Sequence, residues 1–227
     1  MTAKLAFRLA VIAAVIMLGI GAAMAVAAAP CHALPMSTLT AFELARSAED
    51  LLRIFGTPEE ACRPPLVAQL DHANMLDALG YIPAYAAFYA FLLYGLGRRD
   101  KALGWVGIAI VGVSAAADWL EDVALFQLSA APDAPAHWFA LLIPATNLKW
   151  VGLALATTLG GVMLCRRGGL GLLAFLLCAA PLLSSLWALA SPDAAGRYLL
   201  PGMAVASILL LAVAILGAFA KQTAPKN

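Results

Sequence analysis

Six stretches of this chain are each long and apolar enough to cross a lipid bilayer, and that feature limits the fold more than any other. A membrane-spanning helix needs about 20 mostly apolar residues at a rise of about 1.5 Å each. Residues 5–29, 74–96, 102–127, 138–165, 170–190 and 198–219 meet the requirement. No water reaches the bilayer core, so only helices or closed barrels can satisfy their backbone groups there. The alternating segments of about 10 residues that mark barrel strands are missing. The chain therefore reads as all-α: a polytopic membrane helix bundle, one integral membrane domain over residues 1–227, with a larger extracytoplasmic loop over 30–73 carrying short amphipathic helices. Composition agrees. Hydrophobic residues make up 63% and charged residues 12%, against about 45–50% and about 25% in soluble domains. The net charge of +1 leaves no electrostatic footprint for nucleic acid. The lipid bilayer is the partner the composition demands.

Lysine and arginine set the expected direction, because cytoplasmic loops are enriched in them. With the N-terminus inside, Lys4, Arg8, Arg98, Arg99, Lys101, Arg166, Arg167, Lys221 and Lys226 face the cytoplasm, and Arg46, Arg53, Arg63 and Arg197 face outward. Both termini are then cytoplasmic if the first span is retained. A second interpretation stays open there: the basic start, apolar middle and small residues Ala27–Ala29 also fit a cleaved secretory signal. The other five spans keep their topology either way.

The outer loop carries two helix-start patterns. Thr40-Ala-Phe-Glu43 and Thr57-Pro58-Glu59-Glu60 each read as a capping box, in which hydroxyl and carboxylate satisfy free backbone N–H groups. Between them Leu44, Leu51, Ile54 and Phe55 share one helical face, and Gly56 ends the helix. Two short helices on the outer membrane surface are expected, with a solvated loop as the alternative. Cys31 and Cys62 fall in the same oxidising segment and are disulfide candidates. Cys165 and Cys178 lie in or beside spans and read as small apolar fillers.

The carboxylates point to the candidate site. An ionisable group in a span costs roughly 2.5–3.5 kcal/mol on the translocon scale, so it faces a partner or a wet cavity. Asp118, Glu121 and Asp122 are spaced i, i+3 and i+4, on one helical face. Asp77, Tyr81, Tyr85 and Tyr89 recur every fourth residue down the second span, with Asn74 extending the stripe outward and Pro83 predicting a kink. Thr146, Asn147 and Lys149 follow Pro144 in the fourth span. Asp118 lies about 13 Å, and Lys149 about 16 Å, inside the outer ends of their helices at 1.5 Å per residue. Consecutive spans joined by a short loop are antiparallel neighbours, so Lys149 is expected to meet this acidic face, most directly Asp118. Glu121 and Asp77 are expected to be spare charges, not needed to balance Lys149.

Ligand-binding candidates are thus Asn74, Asp77, Tyr81, Tyr85, Asp118, Glu121, Asp122, Asn147 and Lys149, with Glu121, Asp122 and Asp77 as candidate acids for catalysis. HExxH, GxSxG and P-loop patterns are absent. No cofactor is implied; an acidic pair can hold a divalent cation, but no specific motif supports one. The expected function is an outward-facing polar pocket that binds a cation or a small polar or lipid ligand. Two alternatives remain: a membrane enzyme acting on a lipid at the outer leaflet, and a structural or assembly protein whose buried ion pairs only fix helix packing.

Overall fold

The structure is a computed structural model and describes residues 1–25, 30–131, 136–166 and 168–220. The Ala27–Ala29 run, Asp133, Arg167, Lys221 and Lys226 lie outside the described residues. The fold is 84% helical with no strands among the described residues. Among the described residues six helices are long and apolar enough to cross a membrane, so the protein is a multi-pass integral membrane protein.

The first span, α1, covers Ala3–Ala23 and is capped by the Thr2 hydroxyl. Three shorter helices follow: α2 (Thr38–Glu43), α3 (Ala48–Phe55) and α4 (Arg63–Leu76). A wide π turn over Asp77–Tyr81 joins α4 to α5 (Ile82–Leu96). The remaining spans are α6 (Lys101–Ala130), α7 (Phe139–Cys165), α8 (Gly171–Ala190) and α9 (Pro192–Phe219). The spans form a ring. Each of α5 to α9 packs on the next in sequence, and α1 closes the ring by packing on both α5 and α9. Near the N-terminus Phe7 fills the space over Gly95 and Gly217, so α1, α5 and α9 meet tightly there. Small residues permit such close approach where lipid supplies no hydrophobic drive between helices.

Several boundaries differ from those expected. The first span ends at Ala23, six residues short of 29. The second helical run begins at Arg63, not at residue 74, so residues 63–73 of the presumed loop are helical. Pro64 and Pro65 occupy the first helical turn, where a missing N–H costs nothing. Leu66, Leu70 and Ala73 then bury one face. The last span begins at Pro192 rather than at residue 198, for the same proline reason.

The outer loop also departs from expectation. The cap of α2 is Ser37, whose hydroxyl accepts from the Thr40 N–H at 3.2 Å. Glu43 is left free to turn inward. The helix then breaks, and Ser47 starts α3. Thr57–Glu60 forms a turn instead of a helix start: Glu60 Oε1 accepts from the Thr57 N–H at 3.0 Å, but no helix follows until Arg63. Gly56, at φ 67°, ends α3 in the left-handed region, where a Cβ would strike Glu60 and Cys31. These helices are not spread on a membrane surface. Phe42, Leu51, Ile54 and Phe55 bury against Leu66 and Leu70 of α4, Leu125 and Leu128 of α6, and Phe139 and Leu142 of α7. Burying each such side chain is worth about 1.5–3 kcal/mol, so α2 and α3 are held down as a cap on one end of the bundle.

The cap is tied at its edges. Cys31 and Cys62 form a disulfide with Cα atoms 5.6 Å apart. Arg46 donates to the last carbonyls of α8, Ala188 O at 3.2 Å and Leu189 O at 2.9 Å. Burial alone would raise the Asp50 carboxyl, but the Arg46 N–H, the Arg53 guanidinium and the Ser47 hydroxyl outweigh it and hold it below the usual carboxylate range.

Candidate functional site

The π turn places the first acid. In this wide turn the Ile82 N–H bonds to Asp77 O, one residue farther back than in an α-helix. Ala78 O would next look to residue 83, but Pro83 has no N–H to give. The Trp119 indole of α6 takes that role, donating to Ala78 O at 2.8 Å. The expected proline kink is thus resolved as a π turn clamped to α6. It sets Asp77, buried to 6% exposure, against the acidic face of that helix.

Lys149 lies on α7 with its ammonium 2.8 Å from Asp118, 3.3 Å from Glu121 and 3.3 Å from Glu43. Lys149 and Asp118 thus meet at the shared depth their helices predict. Glu43 is the residue that sequence reasoning misplaced. Its sequence pattern assigns it to a helix cap in the outer loop, whereas the structure turns it down onto Lys149, and its backbone carbonyl accepts from the Thr146 hydroxyl at 3.1 Å. The available signal was its position directly after Phe42 in an otherwise uncharged stretch. Burial pushes the Glu43 carboxyl above the usual carboxylate range, opposed by the Lys149 charge and reinforced by Asp118. Glu121 is not a spare charge, since it contacts Lys149 directly.

Five carboxylates, those of Glu43, Asp77, Asp118, Glu121 and Asp122, thus surround one ammonium, and all are buried. Tyr85 donates to Asp118 Oδ2 at 2.8 Å, and Asp118 Oδ1 is held by the ion pair with Lys149. Asp77 Oδ1 and Asp122 Oδ2 have no hydrogen-bond partner among the described residues, nor do Glu43 Oε2, Asp118 Oδ1 and Glu121 Oε2, but only those of Asp77 and Asp122 belong to residues outside the Lys149 ion pairs. One oxygen each from Asp77, Asp118 and Asp122 lies within 4.8 Å of the others.

A cavity of about 510 Å³ begins at this cluster. Glu43, Asp77, Asp118 and Lys149 form its polar end, and Tyr81, Tyr85 and Tyr89 run down one wall. The opposite wall is apolar, made by Met17 and Leu18 of α1 and by Met203, Ile208 and Leu211 of α9. Leu18 is 56% exposed and Ile208 66% exposed while lining the same space, so the cavity reaches the exposed faces of α1 and α9. At its deeper end Tyr89 and Ser207 share a hydrogen bond of 2.8 Å. Ser207 had no signal in the sequence, because nothing there shows that α9 returns to α1. Glu121 and Asp122 sit behind the cavity wall, and Asn74 and Asn147 are not part of the lining.

Fold and site define the class: an all-α integral membrane protein whose ring of spans holds a buried acid–lysine cluster at the polar end of a cavity lined by α1, α5 and α9. Beyond that class, no protein family, curated protein or solved structure matches the chain.

Proposed function

We propose that this protein binds a small amphiphilic ligand from the membrane, seating its polar end at Glu43, Asp77, Asp118 and Lys149 and its apolar part between α1 and α9. The observation that carries this is the continuity of one cavity, from buried ionisable groups to apolar walls on α1 and α9. Its volume of about 510 Å³ falls in the range of ligand pockets, about 300–1,000 Å³. Packing alone gives no reason for a cavity at a charged cluster, since buried polar groups are costly unless satisfied.

Blocking the cavity tests the proposal. Ala204 lines it and is otherwise exposed, so Ala204→Phe fills space without entering the core. The expected result is loss of co-purifying lipid, read by native mass spectrometry, with the unfolding temperature retained. Leu216→Phe, at a position 73% exposed outside the cavity, should keep the lipid. Equal lipid content in all three proteins rejects the proposal. The reach of the cavity to the exposed faces of α1 and α9 also suits a second reading, an enzyme acting on a lipid, with Asp77 as a general base. Chemical alteration of the bound lipid over time would favour that reading over binding alone.

The proposed direction places the polar end of the cavity at the outer leaflet of the cell membrane. Reporter fusions after Arg99 should read cytoplasmic and one at His137 should read external. The reverse pattern would move the site to the inner leaflet.

A further inference from the structure

We propose that Asp77, Asp118 and Asp122 form a site for one hard divalent cation, of the magnesium or calcium type, beside the polar end of the cavity. This deepens the binding reading, and rests on it for the ion's route in, past Asp77 and Asp118, which line the cavity.

Charge comes first. Lys149 engages Glu43, Asp118 and Glu121. Asp77 and Asp122 have no cationic side chain within ion-pair distance among the described residues, yet they are only 6% and 3% exposed. Unpaired buried carboxylates are strongly disfavoured as anions. Two such acids facing each other carry the charge that one divalent ion neutralises.

Geometry comes second and is independent of the charge count. Asp77 Oδ1 and Asp122 Oδ2 are each unpartnered although buried. They belong to a group whose carboxylate oxygens converge within 4.8 Å. An ion with metal–oxygen distances of about 2.1–2.5 Å holds opposite ligand oxygens about 4–5 Å apart. The three side chains fall within that outer limit for ligands of one ion. Their approach is built in: Asp118 and Asp122 are one turn apart on α6, and the π turn, clamped by Trp119 of the same helix, brings Asp77 to them. An oxygen-only donor set selects hard cations over zinc or copper. The other convergent group, Cys31, Glu60 and Cys62, is excluded because its sulfurs form the disulfide.

The test uses the full-length protein in lipid nanodiscs, stripped with chelator and titrated with Mn²⁺ under electron paramagnetic resonance. The expected result is one Mn²⁺ bound per chain and displaced by Mg²⁺ or Ca²⁺. Asp77→Asn and Asp122→Asn should each weaken binding by about tenfold or more, as loss of a metal-site carboxylate does, while Asp50→Asn on the cap should bind normally. Wild-type protein that takes up no Mn²⁺ at millimolar concentration, with an infrared band of protonated carboxyl, overturns the proposal without recourse to any variant. So does Mn²⁺ binding that both variants leave unchanged. Lipid content measured in the same samples separates the two claims: lipid retained without metal binding rejects the ion site alone, and metal bound without lipid rejects the amphiphile reading alone.

Discussion

Replacing Lys149 by methionine is expected to destabilise the protein by about 3–5 kcal/mol, the usual cost of removing one partner from a buried ion pair. Methionine keeps most of the volume, so the loss reports charge. Three carboxylates within 3.3 Å of the ammonium would lose it at once. Native proteins are stable by only about 5–15 kcal/mol, so this variant should unfold at a much lower temperature in detergent. The sharper result is expected in the double variant. Lys149→Met with Asp118→Asn removes both charges of the closest pair, 2.8 Å apart, and should be more stable than Lys149→Met alone. Losses that simply add would show that the two residues are not energetically coupled. Glu121→Gln should itself lower stability, because Glu121 contributes to holding Lys149.

Opening the Cys31–Cys62 bridge is expected to cost about 3–4 kcal/mol, from the entropy of a cross-linked loop of this length. The bridge closes a segment with a sequence separation of 31 that contains α2 and α3 whole. Its loss frees the cap that carries Glu43 to Lys149, so it should act on the site as well as on stability. Reduction, or Cys31→Ser with Cys62→Ser, should lower the unfolding midpoint and speed hydrogen exchange across α2 and α3. The buried core of Phe42, Leu51, Ile54 and Phe55 should keep the spans themselves folded. An unchanged midpoint after complete reduction would mean that this core alone holds the cap.

The spans were legible in the sequence because the bilayer requirement is one of length and polarity, both visible residue by residue. The Asp118–Lys149 pairing was legible because two helices joined by a short loop share a depth scale. What was hidden is what depends on contacts distant in the chain. Glu43 reaches Lys149 across 106 positions, and only the folding of the cap puts it there. The capping box at Thr40–Glu43 misled for the same reason: Ser37 offered the nearer cap, and the glutamate found a stronger partner in the ammonium. Residues 63–73 were read as loop because polar side chains such as Gln69, Asp71 and His72 interrupt the apolar run, although Leu66, Leu70 and Ala73 already carried the helical spacing. The cavity could not be seen at all, since its two apolar walls come from the first and last spans.

Density in the cavity of a protein extracted directly into native nanodiscs, determined by electron cryomicroscopy, is the measurement closest to the central claim. An elongated density is expected, with one end within hydrogen-bond distance of Glu43 or Asp77 and the remainder along Met17, Leu18, Met203 and Ile208. A cavity closed by α1 and α9 coming together, or one holding only water beside an intact Lys149 cluster, would contradict it and leave the buried charges with a packing role alone.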